Sequence, residues 1–195
     1  MGVEFKRSSA GLALLLLAGC GHSPPTHFYT LDPTPPSRPA AVSASAPRAP
    51  IQLDAVHIPA ALDRPQVVTQ LGANRVDVHD FDQWASPLGE MMRRTLAQDL
   101  LARLPEGAFV LPDAPRPQVV RGLVVNVLQI DAAPGGRVAL QASWTLMTAG
   151  TTRAALIRNV QLSADAGPGP QGTAAAMSQL LGQLADQIVE GVGTA

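Results

Sequence analysis

The chain has one cysteine, Cys20, at the end of Leu17-Ala18-Gly19-Cys20 and directly after a short leucine-rich run. Two constraints follow. A single thiol allows no internal disulfide, so any fold has to be held by its apolar core. The residues before the cysteine, moreover, have the layout of a processing segment that takes no part in that fold. Lys6 and Arg7 form a positive start, partly offset by Glu4, and Gly11 to Ala18 form an apolar stretch. The stretch is too short to span a bilayer, which takes roughly 20 apolar residues. With small residues before the cut, it reads as a signal peptide.

The pair Ala18-Gly19 followed by Cys20 resembles the bacterial lipobox. That resemblance implies a signal peptide over residues 1–19, cleavage between Gly19 and Cys20, diacylation of the Cys20 thiol and, usually, acylation of the new amine. Each buried methylene adds about 0.8 kcal/mol of membrane affinity, so two or three chains anchor stably where one does not. Gly21, in place of aspartate, implies by the same resemblance the outer membrane of a Gram-negative cell. The alternative is an ordinary cleaved signal that leaves a free thiol, a liability in an oxidising compartment.

About 175 residues remain after processing, enough for one domain with a sizeable core. A net charge of −1 offers no basic face for nucleic acid. Hydrophobic residues make up 46%, which is compatible with a core that carries the stability alone, whereas aromatics at 4% are few for a carbohydrate-binding or base-stacking surface. No second apolar segment is long enough for a membrane span, so the acyl group is the membrane anchor the sequence offers.

Residues 20–50 form the next unit, the lipidated cysteine and a Pro/Ala-rich tether. Pro24, Pro25, Pro33, Pro35, Pro36, Pro39, Pro47 and Pro50 favour extended polyproline conformations. Its one break, His27-Phe28-Tyr29-Thr30-Leu31, is either an edge strand added to the domain or more tether.

From Ile51 the pattern is that of a domain, 51–195. Ile51, Leu53 and Ala55 alternate with Gln52 and Asp54 in a strand that Pro59 ends. Val67 and Val68, a turn at Gly72-Ala73-Asn74, and Val76 and Val78 then predict a hairpin in the same small sheet. Ser86 as N-cap and Pro87 at the first helical position open a helix. Its stripe is Leu88, Met91, Met92, Leu96, Leu100 and Leu104, opposite Glu90, Arg93, Arg94 and Gln98, and Pro105 and Gly107 end it. Leu123 to Ile130 reads as a strand buried on both faces. Pro134-Gly135-Gly136 joins it as a hairpin to the cleanest alternation, Val138, Leu140, Ala142, Trp144 and Leu146. Arg153 to Leu162 is a further strand. A last helix carries Met177, Leu180, Leu181, Leu184 and Ile188. Because hairpins outnumber crossovers, the expectation is α+β: one mainly antiparallel sheet with two long helices packed on one face.

Chemistry is sparse. Asp80 and Asp82 precede the first helix, where carboxylates commonly cap N–H groups, so a catalytic pair is the weaker reading. His57 and His79 fall in or beside strands and His22 and His27 in the tether, without metal-ligand spacing. No G-x-S-x-G occurs, and Gly167 to Gly172 lacks the lysine of a phosphate-cradling loop. No catalytic residue, metal or cofactor is therefore assigned. Arg64 either pairs with Asp63 or another carboxylate or meets a partner, and Trp84 is either core or an interface anchor.

Four stretches resemble a known family: Pro59 to Thr69, which includes Leu62-Asp63-Arg64-Pro65; Asn74-Arg75; Trp84-Ala85-Ser86-Pro87-Leu88; and Leu96 to Pro105. They are similar to the paraquat-inducible protein C family, the ABC-type transport auxiliary lipoproteins, across essentially the whole mature chain. The glycine- and proline-rich loop at 167–172 and the long linker depart from it. The resemblance implies a non-enzymatic outer-membrane lipoprotein facing the periplasm. It also implies a partner, a mammalian-cell-entry (MCE) domain protein that bridges the periplasm and moves lipids between membranes, and a homo-oligomer ringed around that partner's end. Asp63, Arg64, Pro65 and Trp84 are then candidates for partner contact or for a structural motif. Two alternatives stay open: a lipid carrier with its own apolar cavity between helices and sheet, and a periplasmic enzyme or envelope-assembly lipoprotein of another type. A concave pocket with converging polar groups would mark the enzyme.

Overall fold

The structure, a computed structural model, describes residues 24–37, 49–133 and 136–193. Gly19 and Cys20, His22, residues 38–48 of the proline-rich stretch, and Pro134-Gly135 of the expected hairpin turn lie outside the described residues. In chain order the elements are β1 (His27–Tyr29), β2 (Ile51–His57), β3 (Gln66–Gly72), β4 (Arg75–Trp84), α1 (Leu88–Arg103), β5 (Phe109–Val110), β6 (Arg121–Ala132), β7 (Arg137–Met147), β8 (Ala154–Asp165) and α2 (Gly169–Gly193).

The α+β class holds, but the expected single, mainly antiparallel sheet with two long helices on one face does not. The strands form two sheets, a three-stranded one in the order β1-β4-β3 and a five-stranded one in the order β5-β2-β6-β7-β8, and both are mixed. β1 runs parallel to β4, and β2 runs parallel to both β5 and β6, while β3–β4, β6–β7 and β7–β8 are antiparallel. The reason lies in β2. Its sequence neighbours β3 and β4 leave for the small sheet, and α1 follows before the chain returns as β5 and β6. A strand reached by such a crossover runs parallel to the one before it, whereas a tight turn makes antiparallel neighbours. The helices are divided as well. α1 contacts β2 and β5, whereas α2 contacts β7 and β8 and also β1 of the small sheet.

Period-two alternation translates directly in β7, where Val138, Leu140, Ala142, Trp144 and Leu146 are all buried. β6 is not buried on both faces as expected. Leu123, Val125 and Val127 are buried, but Val124 and Asn126 are half-buried and Leu128 is exposed. Both leucine stripes are core: Leu88, Met91, Met92, Leu96 and Leu100 from α1 meet Met177, Leu180, Leu181, Leu184 and Ile188 from α2. Burying each such side chain stabilises by about 1.5–3 kcal/mol relative to leaving it in water. The start of α1 differs by one residue from the expected one. Pro87 occupies the N-cap position with φ −49° and ψ 128°, the helix begins at Leu88, and no side chain caps it.

Candidate functional site

The Leu62-Asp63-Arg64-Pro65 stretch forms the turn between β2 and β3. The Leu62 amide donates to Pro59 O at 2.9 Å, and the Arg64 amide donates to Leu62 O at 2.9 Å. Asp63, Arg64 and Pro65 are exposed. Arg64 Nε donates to Gln66 Oε1 at 3.3 Å, and its guanidinium forms no ion pair with Asp63 among the described residues. Trp84 lies at the end of β4 with its side chain in the core, and its amide donates to Pro65 O at 2.7 Å. The tryptophan and the turn are thus joined through the backbone, which explains why these two stretches lie together although about twenty residues apart.

A second cluster was hidden in the first helix. Asp99 and Arg103 fall on the same stripe as the core residues Met92 and Leu96, and both are buried. Arg103 Nη1 donates to Asp99 Oδ1 at 2.8 Å and to Thr34 O at 3.0 Å. Its Nη2 donates to Pro35 O at 3.2 Å, and its Nε donates to Asp186 Oδ1 on α2 at 2.7 Å. The Thr34 amide donates to Asp99 Oδ1 at 2.9 Å, and Thr95 Oγ1 donates to Leu31 O at 3.0 Å. Residues 31–37 therefore run as a strap across the two helices, with Leu31 buried under them. Proline-rich chain has few donors of its own, and here the helices supply donors to its carbonyls. Burial raises the Asp99 pKa above the ordinary carboxylate value, against the opposing pull of the Thr34 amide and Arg103. The signal that finds this cluster in sequence is a pair of opposite charges at i, i+4 inside an apolar stripe.

The strap needs a small residue beneath it. A Cβ on Gly182 of α2 would overlap Thr34 Oγ1 and come within 3.1 Å of Arg103 Nη2. Gly182→Val is expected to lift the strap, with a loss of about 1–3 kcal/mol from overpacking. Amide exchange at Thr34 and at Asp32, whose N–H donates to Ser178 Oγ at 3.1 Å, should speed up selectively. Unchanged exchange at both amides would contradict this.

The small sheet carries a polar group of its own. Asp82 does not cap a helix but sits within β4, where Tyr29 Oη donates to its Oδ1 at 2.7 Å. His27 and His79 approach the same carboxylate at 3.5 and 3.9 Å, and His79 Nε2 shares a hydrogen bond of 3.0 Å with Thr69 Oγ1. The bond to Asp82 raises the Tyr29 pKa, with burial and the carboxylate charge adding to it, so the phenol stays a donor. Asp80 is also in β4 and is exposed. Among the described residues there is no cluster of three or more His, Cys, Asp or Glu side chains able to hold a metal. These groups tie β1 to β4.

The concave spaces fit the same picture. Two small recesses of about 10 Å³ each open beside the core, one at Trp84, Leu88 and Met177 and the other at Met92, Leu140 and Leu181. A larger open groove of about 420 Å³ lies between α1 and the loop around Leu111 and Asp113. There Arg93 bonds Glu90 at 3.2 Å and Asp113 at 3.0 Å.

The family model of the ABC-type transport auxiliary lipoprotein component matches residues 29–189. No curated protein matches the chain. Two crystal structures resemble it, the first of an uncharacterized protein with a TM-score of 0.69 and 21% identity, covering 87% of this chain and 99% of that one. The second is a protein from Xanthomonas campestris, with a TM-score of 0.62 and 16% identity, covering 85% of this chain and 93% of that one. At these identities the likeness shows the shared fold.

Proposed function

We propose, from the premise that this chain belongs to the ABC-type transport auxiliary lipoprotein component family, that it is a non-catalytic docking subunit held by acylated Cys20 at the outer membrane, facing the periplasm. Its partner is an MCE-domain protein that bridges the periplasm and passes lipids between the membranes, and copies of the chain form a homo-oligomer around that partner's end. The observation that carries the reading is the family match from Tyr29 to Val189, with the lipobox cysteine nine residues upstream. The structure adds support of two kinds. The strap and β1 bring the chain that follows Cys20 firmly onto the domain, so the anchor is mechanically coupled to it. The exposed Asp63-Arg64-Pro65 turn, backed by buried Trp84, is a rigid loop of the kind that presents contact residues to a partner.

The lipid-carrier alternative gains no support from the interior. Ligand pockets usually hold about 300–1,000 Å³; the two recesses between helices and sheets hold about 10 Å³ each, and the groove of about 420 Å³, which is in that range, lies on the outer side of α1 and is bordered by Glu90, Arg93, Arg94 and Asp113.

Site-specific crosslinking from position 64 in native membranes is the direct test. An MCE-domain protein is expected in the crosslinked product, and Arg64→Ala should weaken its co-purification without changing the thermal stability of the domain. Native membranes that yield no MCE-domain protein from any exposed position would overturn the reading.

A further inference from the structure

Among the described residues nine large apolar side chains are exposed, and four of them belong to the small sheet. Phe28 on β1 is 64% exposed, Leu71 on β3 47%, and Val76 and Phe81 on β4 53% and 46%. The other five are spread over α1, two loops, β6 and β8. Isolated apolar residues are ordinary on a protein surface, whereas a concentration of them marks contact with something apolar. The register gives this one a direction. Phe28 pairs with Gln83 and Tyr29 with Trp84. Paired residues project to one side and alternate residues to opposite sides, so Phe28 with Gln83, and Val76 with Gln70, share the side turned away from buried Trp84 and Val67, and Phe81 lies beside them in the bulge between His79 and Gln83, where the β3–β4 register shifts. Leu71 and Val76 lie at the hairpin end of the same sheet, next to the Gly72–Arg75 pair.

What covers this sheet is decided by the length of chain that leads to it. Cys20 is eight residues before Phe28, and the described chain already begins at Pro24. A fully extended chain spans at most about 3.6 Å per residue, so Phe28 stays within about 29 Å of the cysteine. β1 is the edge strand through which the anchor enters the fold. No comparable tie acts on Leu128 or Ile157 of the larger sheet.

The geometry points to the bilayer surface as the occupant: the small sheet rests on the lipid headgroups, with Phe28 and Phe81 in the interface and the hairpin end beside them. Phe and Leu side chains on a surface element bury themselves at the boundary between headgroups and acyl chains. The exposed charges on and beside the sheet are mixed, Arg64 and Arg75 against Asp63, Asp77 and Asp80. The attraction is therefore apolar and does not depend on anionic lipid. Seated this way, the domain is held by its acyl chains and oriented by its sheet, which presents the helices and the larger sheet to the periplasm. This inference rests on the reading of Cys20 as the lipid anchor.

The test uses the full mature protein, purified from membranes and placed in vesicles of phosphatidylethanolamine and phosphatidylglycerol with dibrominated acyl chains, which quench nearby indoles. Phe81→Trp and Ile157→Trp are compared over the constant background of the two native tryptophans, both buried. The added emission of Phe81→Trp is expected to be quenched several-fold more than that of Ile157→Trp, and Val76→Trp, the second probe should Phe81→Trp fold poorly, is expected to follow it. Equal quenching at the two ends of the molecule overturns the inference. So does an indole at position 81 that is shielded from both bromolipid and aqueous acrylamide, since a protein would then cover the sheet. Mass spectrometry of the same preparation separates the two readings. Acylated protein with equal quenching sinks this inference alone, whereas an unmodified Cys20 sinks the anchor and the inference with it.

Discussion

Replacing Arg103 with alanine is expected to destabilise the domain by about 3–5 kcal/mol, the usual consequence of removing one partner from a buried ion pair. The side chain of Arg103 is 3% exposed and that of Asp99 is not exposed at all. The guanidinium fork reaches α1, α2 and the strap at once through Asp99, Asp186, Thr34 and Pro35. Alanine would leave the Asp99 carboxyl without its counter-ion in an apolar stripe and the strap carbonyls without donors. At roughly 2–4 °C per kcal/mol for a domain of this size, thermal denaturation should show a midpoint about 6–20 °C lower. Arg103→Lys should recover only part of it, because an ammonium cannot match the planar fork. A drop of under about 1 kcal/mol for Arg103→Ala would show that the cluster is incidental.

Asp99→Asn is the milder change, and its pH dependence follows from the raised pKa of the buried carboxyl. The folded value lies above the unfolded one, so the native state binds the extra proton. This contribution is complete below the unfolded carboxylate value of about 3.9 and is lost as pH rises through the folded value. The stability of the unaltered protein relative to Asp99→Asn should accordingly fall as pH rises, as read by urea denaturation across a pH series. A rising difference would reverse the assignment.

Cys20→Ala is expected to have the largest effect on location and almost none on folding. Nothing in the described fold includes Cys20, and no disulfide can depend on it. Acylation, in contrast, needs the thiol. A single myristoyl chain binds membranes with an association constant of only about 10⁴ M⁻¹, whereas two or more chains hold stably. Without the thiol, acylation and the signal-peptide cut that depends on it should both fail, so the protein runs as the uncut precursor on gels and leaves the outer-membrane fraction. Globomycin should block the same cut in the unaltered chain. Mature size and fractionation that stay unchanged under both treatments would refute the lipoprotein anchor.

Most of the secondary structure could be read from residues alone, because period is a local property. β7 alternates and both helices carry their leucine stripes, so each element declares its buried side wherever it ends up. Partnership between elements was less legible. Two short strands and a helix after β2 look the same on paper whether they join its sheet or leave it. Only the crossover geometry makes β2 parallel to β5 and β6. β5, with two residues, is too short to have a period. For the candidate site the division is similar. The Leu62-Asp63-Arg64-Pro65 turn and Trp84 were visible as motifs, but their union through the Trp84 amide was not. Asp80 and Asp82 looked like helix caps because they precede Ser86-Pro87, and they proved to be strand residues, Asp82 binding Tyr29.

By itself the sequence determined the materials of this protein: a single cysteine after an apolar run, a proline-rich stretch, apolar stripes of the right period, and a family kinship that reaches from Tyr29 to Val189. Those depend on neighbours along the chain. Only the tertiary structure decided that residues 31–37 are a strap bonded to Arg103 and that four exposed apolar residues gather on the small sheet. Both depend on contacts between residues up to 149 positions apart, and no local pattern encodes which distant carbonyl a buried guanidinium will find.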